Sequence, residues 1–146
     1  MGDIAFTLPY RERVRLHGRA YRAQQNGHRE VGGALLASAR GQLRLVFIKN
    51  TADRPYRYEM AWGALRRVKA VLMGKGERLM GTFHSHPLGM AKLSRGDRVA
   101  CSLRASMLVY DVCGREAALW RVAKRGARRV AYRVPLKVAP RRPTKG

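Results

Sequence analysis

The sequence predicts a mixed α/β sandwich, in which a central mixed β-sheet of about six strands is flanked by about three helices. Three observations predict it. Apolar runs of strand length interleave with amphipathic stretches of helical period instead of segregating into halves of the chain. Turn-forming Gly, Pro and Asn residues separate them at short intervals. With 46% apolar residues in a chain of 146, there is enough material for one core and not for two.

The elements follow in order. Residues 10–25 place Tyr10, Val14, His17 and Tyr21 at helical spacing, Leu16 and Ala20 widen the stripe, and Asn26-Gly27 supplies the stop. Glu30 opens the run EVGGALLA, which a short polar break at residues 38–41 joins to GQLRLVFIKN as a hairpin. The double glycine Gly32-Gly33 predicts a close approach of backbones. After a polar connection at 50–58, Ala61, Leu65, Val68 and Leu72 mark a second helix with Arg66, Arg67 and Lys69 facing water. Residues 78–86 read as a buried strand closed by Pro87, which has no amide hydrogen to donate. Ser94-Arg95-Gly96-Asp97 has the form of a capping box opening a third helix over residues 99–105. Strands over 106–112, 116–123 and 128–134 complete the sheet. One domain is therefore expected over residues 1–136, with a basic, mobile tail at 137–146.

Composition narrows the function classes. The first residues lack the basic start and apolar stretch of a signal peptide, and no run approaches a membrane span, so a cytoplasmic protein without membrane contact is expected. Cys101 and Cys113 are too few for a disulfide framework and lack CxxC spacing; both read as small buried hydrophobes. The net charge of +22 argues for an anionic partner. The basic stretches lack the interleaved aromatics of a single-strand nucleic-acid platform, so an acidic protein is the expected partner ahead of nucleic acid.

With only nine acids in the chain, each one is conspicuous. His84 and His86 lie two apart in a predicted strand, where side chains of period two share a face and both imidazoles can reach one ion. Asp97 follows eleven residues later at the start of the predicted third helix, where a returning loop can aim its carboxylate at the strand end. Two nitrogens and one oxygen leave a tetrahedral metal one open position, which is the pattern of a catalytic zinc site. Zinc, one ion per chain, is the expected cofactor. Water in the open position would have its pKa lowered from about 15.7 to near 7.

Glu30 before VGGALL, then His84-Ser85-His86-Pro87, then Ser94-x-x-Asp97, resembles the JAMM or MPN+ (JAB domain) zinc metalloprotease pattern, with the ten residues 87–96 between the second histidine and the aspartate. The resemblance implies an MPN/cytidine-deaminase-like fold and a compact prokaryotic, deubiquitinase-like hydrolase. It implies that His84, His86 and Asp97 ligate zinc, that Glu30 shuttles the proton, and that Ser94 donates to the oxyanion. It further implies an isopeptidase or peptidase that cleaves after the C-terminal glycine of a ubiquitin-like or sulfur-carrier protein, with E1- and E2-like proteins of a bacterial conjugation or antiphage system as companions. The chain has no evident room for the two insertions by which some family members grip ubiquitin.

Two other classes compete. A non-catalytic binding module of the same type would lack the metal ligands, which are intact here. A nucleic-acid-binding protein with a structural or nucleolytic metal is suggested only by the charge. His17 and His28 are read as structural, Cys101 as core, and Asp53, Glu59 and Asp111 as partners of arginines.

Overall fold

Pro9 holds extended backbone (φ −61°, ψ 150°) where the chain turns from a short strand into its first helix. The computed structural model describes residues 5–94, 97 and 105–140. Strand β1 (Phe6–Leu8) precedes helix α1 (Tyr10–Gln25), followed by β2 (Gly32–Ala37) and β3 (Leu43–Phe47). Helix α2 (Ala64–Arg67) continues into a π-helical turn, Val68–Leu72. Then come β4 (Arg78–His86), β5 (Ser106–Asp111), β6 (Glu116–Arg125), β7 (Arg128–Val134) and β8 (Leu136–Val138).

Six strands form one mixed sheet in the order β3-β2-β4-β5-β6-β7. All neighbours are antiparallel except β4 and β5, which run parallel, so the connection between them must cross over. Alternate residues of β2 face opposite ways. Leu35 and Ala37 join Leu16 and Ala20 of α1, Phe83 and Leu108 in the largest core. Ala34 and Leu36 pack instead with Val68 and Leu65 of the second helical segment. The sheet is thus covered by α1 on one face and by α2 on the other, as a mixed sandwich requires.

The glycine pair sits where it was expected to, between close backbones. A β-carbon on Gly33 would stand 1.9 Å from the Val46 carbonyl oxygen, and one on Gly32 2.6 Å from that of Phe83 and 2.8 Å from the Tyr58 ring.

Several expectations change. On α1 the buried residues are Glu12, Leu16 and Ala20, whereas Val14 and Tyr21, placed on the stripe, are 47% and 50% exposed. Glu12 tolerates burial because its carboxylate accepts the Leu45 amide hydrogen and pairs with Arg15 at 3.0 Å. The second helix starts later than residue 61, because Gly63 adopts the left-handed conformation (φ 83°) ahead of Ala64. Cys113 is exposed, not buried: its thiol donates to the Pro87 carbonyl. Asp111 meets no arginine in an ion pair among the described residues; it is buried and accepts the Cys113 amide hydrogen at 3.1 Å.

Strands β1 and β8 were not expected. They pair in parallel, Phe6 with Leu136 and Leu8 with Val138, which brings Lys137 and Val138 of the supposed tail into a sheet. Residues 141–146, the third helix expected over 99–105 up to its last residue, and Cys101 lie outside the described residues. No helix among the described residues is long and apolar enough to cross a membrane.

Candidate metal centre

The C-terminal end of β4 carries the site. β4 lies between β2 and β5, with Gly32 opposite His84 on one side and Val109 opposite it on the other. Pairing on both sides fixes the pleat, so His84 and His86 project from one face, the α2 face, with their rings 4.9 Å apart. His84 is buried and His86 half-buried. Pro87 ends the strand, and the chain turns so that the Met90 carbonyl lies 3.1 Å from Nδ1 of His86.

A carbonyl can only accept, so Nδ1 of His86 donates to it, and Nε2 is the ring nitrogen left to face His84 and Asp97. Nε2 of His86 lies 3.0 Å from Nε2 of His84. Oδ2 of Asp97 lies 3.1 Å from the first of these histidines along the chain and 3.3 Å from the second. In a tetrahedral site with arms of about 2.0–2.1 Å, ligand atoms stand about 3.3 Å apart. Three ligand atoms at those separations fit one zinc-sized ion, and the residues His84, His86 and Asp97 form the one such group among the described residues. The donor set, two imidazoles and a carboxylate, suits zinc.

Asp97 is aimed by Ser94. The Ser94 amide donates to Oδ2 of Asp97 at 2.9 Å, and the Asp97 amide donates to Oγ of Ser94 at 3.0 Å. This reciprocal pair is the capping box anticipated from Ser-x-x-Asp. Burial works against the Asp97 charge, but the bonds from both histidines and from Ser94 outweigh it and hold the carboxyl well below the usual carboxylate range. For His86, burial again opposes the charged form, and the Asp97 and Met90 acceptors more than compensate, raising its pKa.

Glu30 lies just before β2 and is 7% exposed. It shares a cleft of about 680 Å³ with His84, His86, Ser94 and Asp97. Burial raises the proton affinity of its carboxyl above the ordinary value; the two histidines pull the other way. A carboxyl shifted upward beside a candidate metal-binding cluster can take up and release a proton there. The five residues singled out in the sequence therefore come together in one cleft. His17 does not join them: it bonds to the Tyr110 hydroxyl on the α1 face. His28 stacks on Tyr56, 5.3 Å between centroids, and belongs to no metal-binding group among the described residues.

Two features of the cleft had no signal in the sequence. The Met90 carbonyl is a backbone atom, which residue identity cannot announce. The wall formed by residues 56–60 comes from what reads only as a polar connection. Leu88 and Met90, 54% and 62% exposed, stand on the loop that follows Pro87.

Comparison with known proteins places this geometry. A family model described as prokaryotic homologs of the JAB domain matches residues 14–128. Among solved structures, the chain is similar to the solution structure of protein DSY2949 from Desulfitobacterium hafniense, at 18% identity and a TM-score of 0.68, covering 93% of this chain and 94% of that one. It is similar to AF2198, a JAB1/MPN domain protein from Archaeoglobus fulgidus, at 15% identity and a TM-score of 0.54, covering 94% and 100%. A third structure, described as JAMM, a metalloprotease-like zinc site in the proteasome and signalosome, aligns at 13% identity and a TM-score of 0.53, covering 93% and 99%. At these identities the likeness is one of fold. No curated protein matches the chain.

Proposed function

As the chain belongs to the family of prokaryotic homologs of the JAB domain, we propose that it is a zinc-dependent isopeptidase or peptidase that cuts after the C-terminal glycine of a ubiquitin-like or sulfur-carrier protein. The observation that carries the reading is the meeting of three ligand atoms, 3.0–3.3 Å apart, with the buried Glu30 carboxyl in one cleft. A zinc ion held by His84, His86 and Asp97 would supply Lewis-acid polarisation and an activated water.

The chain's own residues do the rest. Glu30, its proton affinity raised by burial, takes a proton from the attacking water and gives it to the leaving nitrogen. That transfer is needed because a lysine amine, with an ordinary pKa of about 10.4, leaves poorly unless protonated. Ser94 holds Asp97 in place through its amide and directs its hydroxyl at the developing oxyanion. Its Oγ accepts the Asp97 amide, and the hydroxyl proton is the one offered to substrate. The wall at Tyr56–Met60 and the apolar Leu88 flank the approach of an extended, small-residue substrate tail. E1- and E2-like proteins of the same conjugation system are the companions this reading implies.

Elemental analysis of protein purified without chelator tests the metal first: about one zinc per chain is expected, and none would end the catalytic reading. His84→Ala and Asp97→Asn should each lose the metal. Glu30→Gln should keep both metal and melting temperature yet lose on the order of 10²-fold or more in kcat on a ubiquitin-like fusion; undiminished turnover in that variant would refute the assigned shuttle.

A further inference from the structure

The peptide unit that joins Glu30 to Val31 is held at both ends by side chains. Its carbonyl oxygen, that of Glu30, accepts a hydrogen bond from Nδ2 of Asn50 at 2.9 Å. Its amide hydrogen, that of Val31, is donated to Oγ of Ser85 at 3.0 Å. Ser85 is wholly buried between the two histidines in the sequence, and its own amide donates back to the Val31 carbonyl at 2.9 Å. The ladder between β2 and β4 ends at Gly32 opposite His84. One step beyond it, the serine hydroxyl accepts the Val31 amide in place of a backbone carbonyl.

Asn50 uses its full hydrogen-bonding capacity at this point. Nδ2 donates to the carbonyls of Glu30 and Arg57, and Oδ1 accepts the amides of Ala52 and Glu59. It therefore ties Glu30 to the segment that forms the cleft wall. The Glu30 carboxylate makes no side-chain hydrogen bond among the described residues, so its position is set by its backbone. We infer that Ser85 and Asn50 are positioning residues for Glu30: they lock the Glu30–Val31 peptide plane, Ser85 to the histidine-bearing strand and Asn50 to the substrate wall. This inference rests on the catalytic reading above and assigns neither residue a contact with substrate or metal.

The geometry makes the effect specific. Loss of the Ser85 hydroxyl removes the acceptor of the Val31 amide and leaves it facing a methyl group, which favours rotation of the peptide and of the attached Glu30. A shuttle displaced by about 1 Å costs on the order of 10- to 100-fold in rate while ground-state binding is kept. Ser85→Ala, Ser85→Thr, Asn50→Asp and Glu30→Gln are compared as zinc-loaded full chains on a ubiquitin-like fusion, with zinc content, melting temperature, kcat, KM, the acid limb of the pH profile and Val31 amide exchange measured for each.

The expected result is one zinc per chain throughout, kcat lowered about tenfold or more in Ser85→Ala and Asn50→Asp with KM within about twofold, a displaced acid limb, and faster Val31 exchange in Ser85→Ala. Ser85→Thr, which restores the hydroxyl, should recover kcat and Val31 protection. If Glu30→Gln is inactive while Ser85→Ala and Asn50→Asp keep the parent kcat and acid limb, the clamp is overturned and the catalytic reading stands. If Glu30→Gln is as active as the parent, the reading of Glu30 fails and the clamp fails with it. A drop in melting temperature with kcat and acid limb unmoved marks both residues as merely structural and also overturns the inference.

Discussion

Glu77 grips Arg44 through Nε and Nη2, each at 2.8 Å, and accepts the Gly74 amide as well. The Arg44 bonds outweigh burial and hold the Glu77 carboxyl below its ordinary value. For a group whose folded-state pKa is depressed, the contribution to stability is present above the unfolded pKa and lost as pH falls through the folded one. Acid should therefore remove this stabilisation below the ordinary glutamate pKa, and Glu77→Gln should show a flatter loss of melting temperature over that acid range. The neutral-pH cost should be about 1 kcal/mol, kept modest because the Arg44 side chain is 40% exposed. A parent and variant with parallel melting curves across that range would contradict the assignment. Gly33 makes a second prediction at this scale. A methyl group there meets the Val46 carbonyl at 1.9 Å, between paired strands that cannot separate without breaking the ladder, so Gly33→Ala should destabilise by several kcal/mol in denaturant titration.

Helix α1 shows how an element chooses its face. Its row at residues 12, 16 and 20 has period four and meets the sheet, while the row through Val14 and Tyr21 looks outward. Leu16→Ala should cost about 3 kcal/mol, because Leu16 is fully buried among residues of β2, β3 and β4. Val14→Ala should cost less than about 0.5 kcal/mol. Equal losses from the two substitutions, measured by urea unfolding, would return the helix to the face its apolar spacing suggested. Strands β1 and β8 make a different point. Each has three residues, too few to establish a period, yet Leu8 is fully buried and Ala139 donates to the Leu8 carbonyl. Their pairing draws residues 136–138, which otherwise read as the margin of a basic tail, against the first strand.

Over the whole molecule, a net charge of +22 should act on the rate of encounter with a charged partner. An acidic substrate protein should associate at a rate that falls steeply as salt is raised, since the Debye length shrinks from about 30 Å at 0.01 M to about 8 Å at 0.15 M. The second-order rate constant kcat/KM on a ubiquitin-like fusion should therefore decline with ionic strength while kcat stays level. A kcat/KM indifferent to salt would show that the charge does not steer this substrate. The cleft itself opens on the face of the sheet opposite α1, lined by Thr82 and His84 of β4, Met107 of β5 and Leu65 of α2.

The clustering of His84, His86 and Asp97, the candidate ligand set, was legible in the sequence because two of the three share a strand. A period of two puts His84 and His86 on one face whatever surrounds them, and Ser94 with Asp97 is a local box whose bonds span three residues. The six-strand sheet was legible for the same reason, since apolar runs and turn residues act over short distances. Only the tertiary structure decided the rest. Glu30 reaches the histidines because β2 pairs with β4 across more than fifty residues of chain, a register that no local pattern encodes. The buried face of α1 depended on what the sheet presented to it, the Met90 carbonyl on the path of a loop, and the grip on the Glu30–Val31 peptide on two side chains from separate segments. Local periodicity records which way a side chain points; which distant group it meets depends on the packing of the whole chain.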